Sequence, residues 1–343
     1  VKLREALLYE RLAGQRVRCG ICQRRCVIDE GGRGYCATRK NEGGTLFSLT
    51  YGEVSTWRVA PSEIKPLFHF LPGGKFLSLG SVGCNFRCPG CQNWDIAHLM
   101  VDRSDRLITE HISPERACQL AVDCGCDGIS WTYNEPTLWF EYTLDTAKIA
   151  KESGLVTNYV TNGFITPEAL DLIGNYLDAF RVDIKGFSVH TYGRIAHIAD
   201  HRGILDVTER AKQKWDMHVE IVTNVIPGYN DGVEELRAIA RWIVTALGVD
   251  TPWHVTRFMP HLYLAHLEPT PLPTLEHACT LGYEEGLKFV YLGNVPGHPA
   301  ENTYCPNCRN LVIQRGSYDI LRVEITDGKC RFCGEELPIK FEI

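Results

Sequence analysis

The chain has 343 residues, a formal net charge of −6, 44% hydrophobic residues and 23% charged residues. That length can bury a core the size of one barrel with small appendages. The acidic balance offers nothing to nucleic acid in general, and no apolar run approaches a membrane span. In chain order, Val1 to Ala13 reads as an amphipathic helix carrying Lys2, Arg4, Glu5, Glu10 and Arg11. It lacks the apolar centre of a signal peptide, so the expected location is cytoplasmic.

Fifteen cysteines are many for such a protein. In a reducing compartment, clustered C-x2-C pairs point to metal rather than to disulfides. Three groups stand out, at 19/22/26/36, 84/88/91 and 305/308/330/333. Cys118, Cys124, Cys126 and Cys279 stand apart and read as core packing.

Residues 14–50 carry Cys19, Cys22, Cys26 and Cys36 around the turn Gly31-Gly32-Arg33-Gly34. Few apolar residues are available for a core there, and a metal would supply the missing folding energy. A structural zinc site and an auxiliary iron–sulfur cluster both fit the spacing, with zinc slightly preferred.

From Phe76 the pattern becomes strand, loop, helix, repeated. Strands are expected at 76–81, 128–132, 155–160, 179–184, 218–225 and 253–258. Residues 288–292 read as a further strand or a terminal extension. Ser113-Pro114 and Thr166-Pro167 carry the cap-then-proline signature of a helix start. Pro136 opens a helix expected to reach about Gly154, and another is expected from about Gly232 to Leu247. Apolar strands alternating with amphipathic helices mean parallel strands with helical crossovers. The expected fold is α/β, a partial (β/α)6 barrel with an N-terminal Cys-rich segment and a C-terminal zinc-ribbon-like segment. The expected boundaries are 1–50, 51–300 and 301–343.

In the tail, Cys305-Pro306-Asn307-Cys308 and Cys330-Arg331-Phe332-Cys333 form two knuckles. Such a pair of C-x2-C motifs is a strong zinc-ribbon signal. Rubredoxin-type iron uses the same four-sulfur geometry. The expected role is structural, closing the open end of the barrel or docking a partner.

The remaining group, Cys84, Cys88 and Cys91, is spaced C-x3-C-x2-C directly after the strand-like run 76–83. Three thiols on a Gly-flanked loop can hold three corners of a cubane cluster, and a [4Fe–4S] cluster normally takes four. The next cysteine is Cys118, so one iron would lack a protein ligand. The plain alternative, three buried small hydrophobes, seldom gives this spacing beside Gly and Pro.

Gly83-Cys84-Asn85-Phe86-Arg87-Cys88-Pro89-Gly90-Cys91-Gln92-Asn93-Trp94 resembles the cluster loop of the radical S-adenosylmethionine (SAM) superfamily. Within it, the chain looks related to the pyruvate formate-lyase activating enzymes and most like the radical SAM proteins of the AmmeMemoRadiSam system. The ferredoxin-like insertion of some activating enzymes is absent, since no cysteine falls between Cys91 and Cys118.

The resemblance implies a [4Fe–4S] cluster on Cys84, Cys88 and Cys91 whose open iron is chelated by SAM. Asn134 and Glu135 stand where the family carries a Gly-Gly-Glu-Pro-like motif that receives the methionine amino group. A helix-initiating turn before Pro136 is the plainer reading. Thr161 and Asn162 form a family-like loop, which an ordinary Asn-Gly turn would equally explain. Asp183 and Lys185 project from one face of a strand and match the pair that contacts the amino-acid end of SAM. A structural ion pair is the alternative. His261, after Pro260, resembles a carboxylate-contacting histidine. Gly293-Asn294-Val295-Pro296-Gly297 is typical of the AmmeMemoRadiSam branch.

The chain departs from the family in three places. Tyr133 and Asn134 replace glycines, the Pro260–His261 spacing is shifted by one, and Gly90 replaces the aromatic that packs near adenine. Phe86 and Trp94 are the aromatics left to cover the base. The implied activity is reductive cleavage of SAM to a 5′-deoxyadenosyl radical that abstracts hydrogen from a small-molecule or protein substrate. Its electrons would come from a donor such as ferredoxin or flavodoxin. The other AmmeMemoRadiSam proteins are expected partners. A glycyl-radical enzyme activase and a non-catalytic metal or electron-transfer scaffold are the alternatives.

Overall fold

The computed structural model describes residues 3–98 and 109–342. The fold is mixed α/β with a large, parallel-rich sheet. The chain divides into two compact units. One comprises Val1–Val59, Phe76–Phe180 and Arg202–Met217; the other comprises Ala60–Lys75, Arg181–His201 and His218–Ile343.

In the first unit, β1 (Lys75–Gly80), β2 (Gly128–Trp131) and β3 (Val156–Thr161) run parallel. The register sets Gly128 beside both Phe76 and Val156. All four residues of β2 are buried, as a strand covered on both faces requires. Gly128 cannot carry a side chain, because a Cβ there would lie 2.2 Å from the Val156 carbonyl oxygen. Between these strands run α1 (Pro114–Asp123) and α2 (Phe140–Glu152). The Ser113 side chain caps α1 by accepting from the Arg116 N–H, with proline at the first helical position. A 3₁₀ turn at Pro136–Trp139 leads into α2. After β3 comes α3 (Pro167–Ile173), capped by Thr166.

β4 (Ala179–Asp183) carries the chain from the first unit into the second. α4 (Arg202–Trp215) belongs to the first unit and buries Ile204, Leu205, Val207, Thr208 and Ala211, a helical stripe. In the second unit, β5 (His218–Val225), β6 (Trp253–Arg257) and β7 (Val290–Gly293) are parallel. The ambiguous segment near residue 290 is thus a sheet strand. Helices α5 (Val233–Trp242) and α6 (Leu272–Glu284) accompany them. The helix expected to reach Leu247 stops regular winding at Trp242, with a wider turn over Ile243–Leu247 ending at Gly248, φ 94°. Trp131, Trp139 and Trp253 are almost fully buried. Each such aromatic contributes roughly 2–3 kcal/mol of burial.

The expected N-terminal helix is not formed. Arg4–Glu5 pairs with the strand Thr45–Ser48, and Tyr9–Arg11 pairs with Val17–Cys19. Leu7 instead donates its N–H to Glu141, at 2.8 Å, and Leu8 has φ 51°. Pairing with distant strands overrides the local helical period. No helix among the described residues is long and apolar enough to cross a membrane.

Candidate functional site

Cys84, Cys88 and Cys91 lie on the loop that leaves the end of β1, and all three are half-buried. Gly83 starts the loop at φ 86°. A Cβ there would stand 2.5 Å from the Thr38 methyl and 2.9 Å from the Cys36 carbonyl oxygen, so only glycine fits. The loop then folds on itself. Cys91 N–H donates to the Cys88 carbonyl at 3.2 Å, and the Arg87 guanidinium donates to the carbonyls of Cys84, at 2.7 Å, and Tyr35, at 2.7 Å. The Phe86 N–H points at Cys84 Sγ, 3.3 Å away. Loss of solvent, reinforced by the Glu135 charge and the neighbouring thiols, pushes the Cys84 thiol well up.

Of the residues expected to contact a cofactor, Asn134 and Asn162 brace this loop, while Glu135 and Thr161 join the two loops behind it. Asn134 Oδ1 accepts from the Ser81 N–H and its Nδ2 donates to the Gly83 carbonyl, both at 3.0 Å. Asn162 Nδ2 donates to Asn85 Oδ1 at 2.7 Å and lies 3.8 Å from Cys84 Sγ. Glu135 is buried and ties the β2 and β3 loops together. Its Oε1 accepts from Thr137 and from the Thr161 hydroxyl at 2.7 Å, and its Oε2 accepts from the Asn162 N–H at 2.8 Å. Burial raises the Glu135 carboxyl, and these hydrogen bonds oppose the shift.

Tyr133, where the family motif carries glycine, holds φ 72°. A bulky residue in that region is strained by about 1–3 kcal/mol, a cost borne where a loop conformation is required. Asn93, just past the third cysteine, fixes it by donating to the Tyr133 carbonyl at 2.7 Å. Of the two aromatics considered for the base, Phe86 is buried and packs on Phe164 at 5.4 Å, whereas Trp94 remains exposed.

In the second unit, Asp183 ends β4 and pairs with Lys185 at 3.5 Å, the contact that the structural ion-pair alternative describes. Arg181, which sequence reasoning missed, binds the same carboxylate at 2.8 Å. Burial would raise the Asp183 carboxyl, but Arg181 and Lys185 hold it below its usual value. The Lys185 backbone is pinned by Asn230, whose Nδ2 donates to its carbonyl at 2.9 Å. His261 precedes the 3₁₀ turn Leu262–Leu264 and is half-buried.

The C-terminal knuckles form the tightest thiol group. The sulfurs of Cys305, Cys308, Cys330 and Cys333 all lie within 4.8 Å of one another. Cys305–Cys333 is 3.6 Å and Cys308–Cys330 is 3.7 Å. Four sulfurs about 2.3 Å from one zinc stand about 3.8 Å apart, so the donor set fits a single tetrahedral ion. Asn310 donates to Cys308 Sγ at 3.3 Å. Hydrogen bonds from the Asn310 backbone and side chain bring the Cys308 thiol down to about 6. Cys305 and Cys330 are buried among Phe68, Phe289, Tyr291, Ile313 and Leu337. The N-terminal Cys19, Cys22 and Cys36 are buried, and Cys26 is half-buried.

A parallel α/β sheet carrying a braced three-thiol loop at the end of a strand offers the donor set of a cysteine-ligated metal group. The sequence pattern of the radical SAM superfamily matches residues 79–243. The chain is 42% identical to uncharacterized protein MJ0808 of Methanocaldococcus jannaschii over 339 residues, 98% of this chain and 99% of that one. It is 26% identical to uncharacterized protein MJ0674 of the same organism over 174 residues, 49% of this chain and 45% of that one. Among solved structures, a domain of pyruvate-formate lyase-activating enzyme from Bacteroides vulgatus aligns with 49% of this chain and 99% of its own. The identity there is 15% and the TM-score 0.41. The chain belongs to the radical SAM superfamily.

Proposed function

We propose that this chain is an enzyme that cleaves SAM reductively and abstracts hydrogen from a substrate, within the AmmeMemoRadiSam branch. The observation that carries the reading is the braced loop: three half-buried thiols, an N–H aimed at Cys84, and no fourth cysteine between Cys91 and Cys118. Cys84, Cys88 and Cys91 would hold a [4Fe–4S] cluster, a donor set that leaves one iron open. With SAM bound, that group supplies one-electron cleavage of the sulfonium and a 5′-deoxyadenosyl radical.

The chain's own residues hold and orient. Asn134 and Asn162 fix the loop, and Glu135 with Thr161 fixes the two loops that support it. With those side chains occupied, the backbone of residues 132–135 is what remains to receive an ammonium group. Asp183 offers an acceptor for an ammonium, while Lys185 and His261 offer donors to a carboxylate; these three are candidates for the amino-acid end of SAM. The division into segments 1–50, 51–300 and 301–343, with an open partial barrel in the middle, is part of the same proposal. So are a structural zinc in the ribbon, a cytoplasmic setting and a ferredoxin- or flavodoxin-class electron donor.

The test is Cys88→Ala in protein reconstituted anaerobically with iron and sulfide. It should lose the visible absorbance of the Cys84/Cys88/Cys91 cluster and all dithionite-dependent 5′-deoxyadenosine release. Normal turnover by this variant would overturn the proposal, and so would wild-type protein that neither binds nor cleaves SAM.

A further inference from the structure

The N-terminal cysteines and the C-terminal ribbon give one chain two four-thiol sites with different geometry. The ribbon shows what single-ion spacing looks like here, with sulfurs paired at 3.6 and 3.7 Å. Among the described residues, no three of Cys19, Cys22, Cys26 and Cys36 join at such spacing, and neither do Cys84, Cys88 and Cys91. Yet all four N-terminal cysteines line one pocket, together with Arg39 and Asn85. A cubane sets its thiolates on four separate irons, so they stand further apart than the ligands of one ion.

A second observation is independent of the thiol spacing. Arg39 and Asn85 are buried, 1% and 0% exposed. Arg39 gives its two terminal nitrogens to Glu141, at 2.9 Å each, but its Nε has no partner. Asn85 accepts from Asn162 through Oδ1, but its Nδ2 has no partner. Two orphan donors in residues lining one buried pocket require an acceptor that the polypeptide does not provide. One of the sulfurs also receives a donor, the Thr38 hydroxyl on Cys36 at 3.2 Å. Donors gathered around four thiols suit an anionic sulfur cluster, whose inorganic sulfides are acceptors as well.

We propose that Cys19, Cys22, Cys26 and Cys36 bind a second [4Fe–4S] cluster, ligated at all four irons by protein. Of the two readings that the spacing leaves open, zinc and an auxiliary cluster, the proposal takes the second. The site adjoins the cluster loop: Asn85 lines its pocket and follows Cys84 directly, and Arg24 Nε donates to the Asn85 carbonyl at 2.6 Å. The inference goes beyond the proposed function and does not depend on SAM cleavage.

The test uses the full chain, reconstituted anaerobically with iron and sulfide, and counts iron, sulfide and zinc. Wild type should hold about eight irons and about eight sulfides, two cubanes' worth. A Cys84→Ala/Cys88→Ala/Cys91→Ala variant should keep about four of each, with a reduced electron paramagnetic resonance signal that SAM does not shift. A Cys19→Ala/Cys22→Ala variant should also keep about four of each, with a signal that SAM does shift. The ribbon's metal reports in each case whether the fold survives. The triple variant decides even if the double variant fails to fold. If it keeps no iron, keeps iron without sulfide, or carries a second zinc in place of iron, the proposal is overturned. Should the proposed function alone be wrong, wild type would hold about four irons and the triple variant would keep them all.

Discussion

Each unit contains one buried carboxylate that accepts from four donors. Glu135, in the first unit, takes the N–H groups of Thr137 and Asn162 and the hydroxyls of Thr137 and Thr161. Glu220, in the second, takes the backbone N–H groups of Phe68 and His69 and the Nε2 atoms of His218, at 2.9 Å, and His254, at 2.6 Å. Burial pushes both carboxyls up. The histidines outweigh it at Glu220, which sits well below the usual carboxylate range, whereas hydroxyls and amides leave Glu135 raised. Equal numbers of hydrogen bonds therefore do not make equal sites; donor type decides whether the charge is held. Glu220 closes a structural knot, with His69 Nε2 passing on to the Tyr291 hydroxyl at 2.6 Å. Glu135 supports loops beside thiols, and its carboxyl is raised.

The largest effect expected from this contrast is at Glu220→Gln. The substitution removes the charge and turns an amide NH2 toward backbone N–H donors inside a closed network. It should cost about 3 kcal/mol, the upper end of the penalty for leaving buried hydrogen-bond donors unsatisfied. Urea unfolding followed by intrinsic fluorescence would read it as a fall in midpoint. A cost below about 1 kcal/mol would mean that the knot is ornamental.

Acidification should strain the same knot next. Burial lowers His254 and brings His69 down to about 3, so both release a proton more readily than free histidine does. Unfolded histidine takes a proton near pH 6.5. Their contribution is therefore complete above that pH and is lost as pH falls toward the folded values, by about 1.4 kcal/mol per pH unit for each histidine. Glu220 adds to this below the ordinary carboxylate range, because its folded value is depressed. Glu135 has the opposite sign: a raised carboxyl stabilises below its unfolded value and loses that contribution as pH rises through its folded value. Stability measured between pH 7 and pH 4 should fall on acidification, and His254→Phe should flatten the slope. A profile flat across that range would contradict the lowered histidines.

Some of this was legible in the sequence. The β5 strand was readable at its full length, 218–225, because Val219, Ile221, Val222, Thr223 and Val225 make it rich in β-branched residues. Ser113 and Thr166 announced their helices because capping is local. Cysteine spacing marked all three thiol groups for the same reason. The N-terminal strands were misread because two- and three-residue strands take their identity from what they pair with. The Glu220 knot left no local trace, being assembled from residues near 68, 218, 254 and 291. Asn134 and Asn162 were noticed as motif residues, but their bracing role depends on partners 51 and 77 positions away. Arg181 beside Asp183 was within reach, since residues two apart on a strand share a face.

Glu135→Gln should separate the two carboxylates in kind as well as size. A carboxyl that burial raises loses less when made neutral than one held low, so the expected cost is about 1.5 kcal/mol, mostly from an amide facing the Asn162 N–H. The consequence for the site should exceed that for the fold. Reconstituted protein should keep its iron while 5′-deoxyadenosine release slows roughly 10-fold, as for residues that orient metal ligands. A stability loss as large as that of Glu220→Gln would erase the distinction.

Asn134→Ala is the smallest perturbation and the most discriminating. It deletes two hydrogen bonds, to the Ser81 N–H and the Gly83 carbonyl, at the entrance to the cluster loop. Each is an ordinary neutral hydrogen bond, so the stability cost should be about 1 kcal/mol. If Asn134 acts by positioning the loop, the reduced cluster signal should respond less to added SAM, while iron content stays near wild type. If it is merely a turn residue ahead of Pro136, the midpoint of unfolding would move while the SAM-induced shift would not. The two readouts respond to different causes, which allows a side chain that touches only backbone to be assigned to the site or to the scaffold.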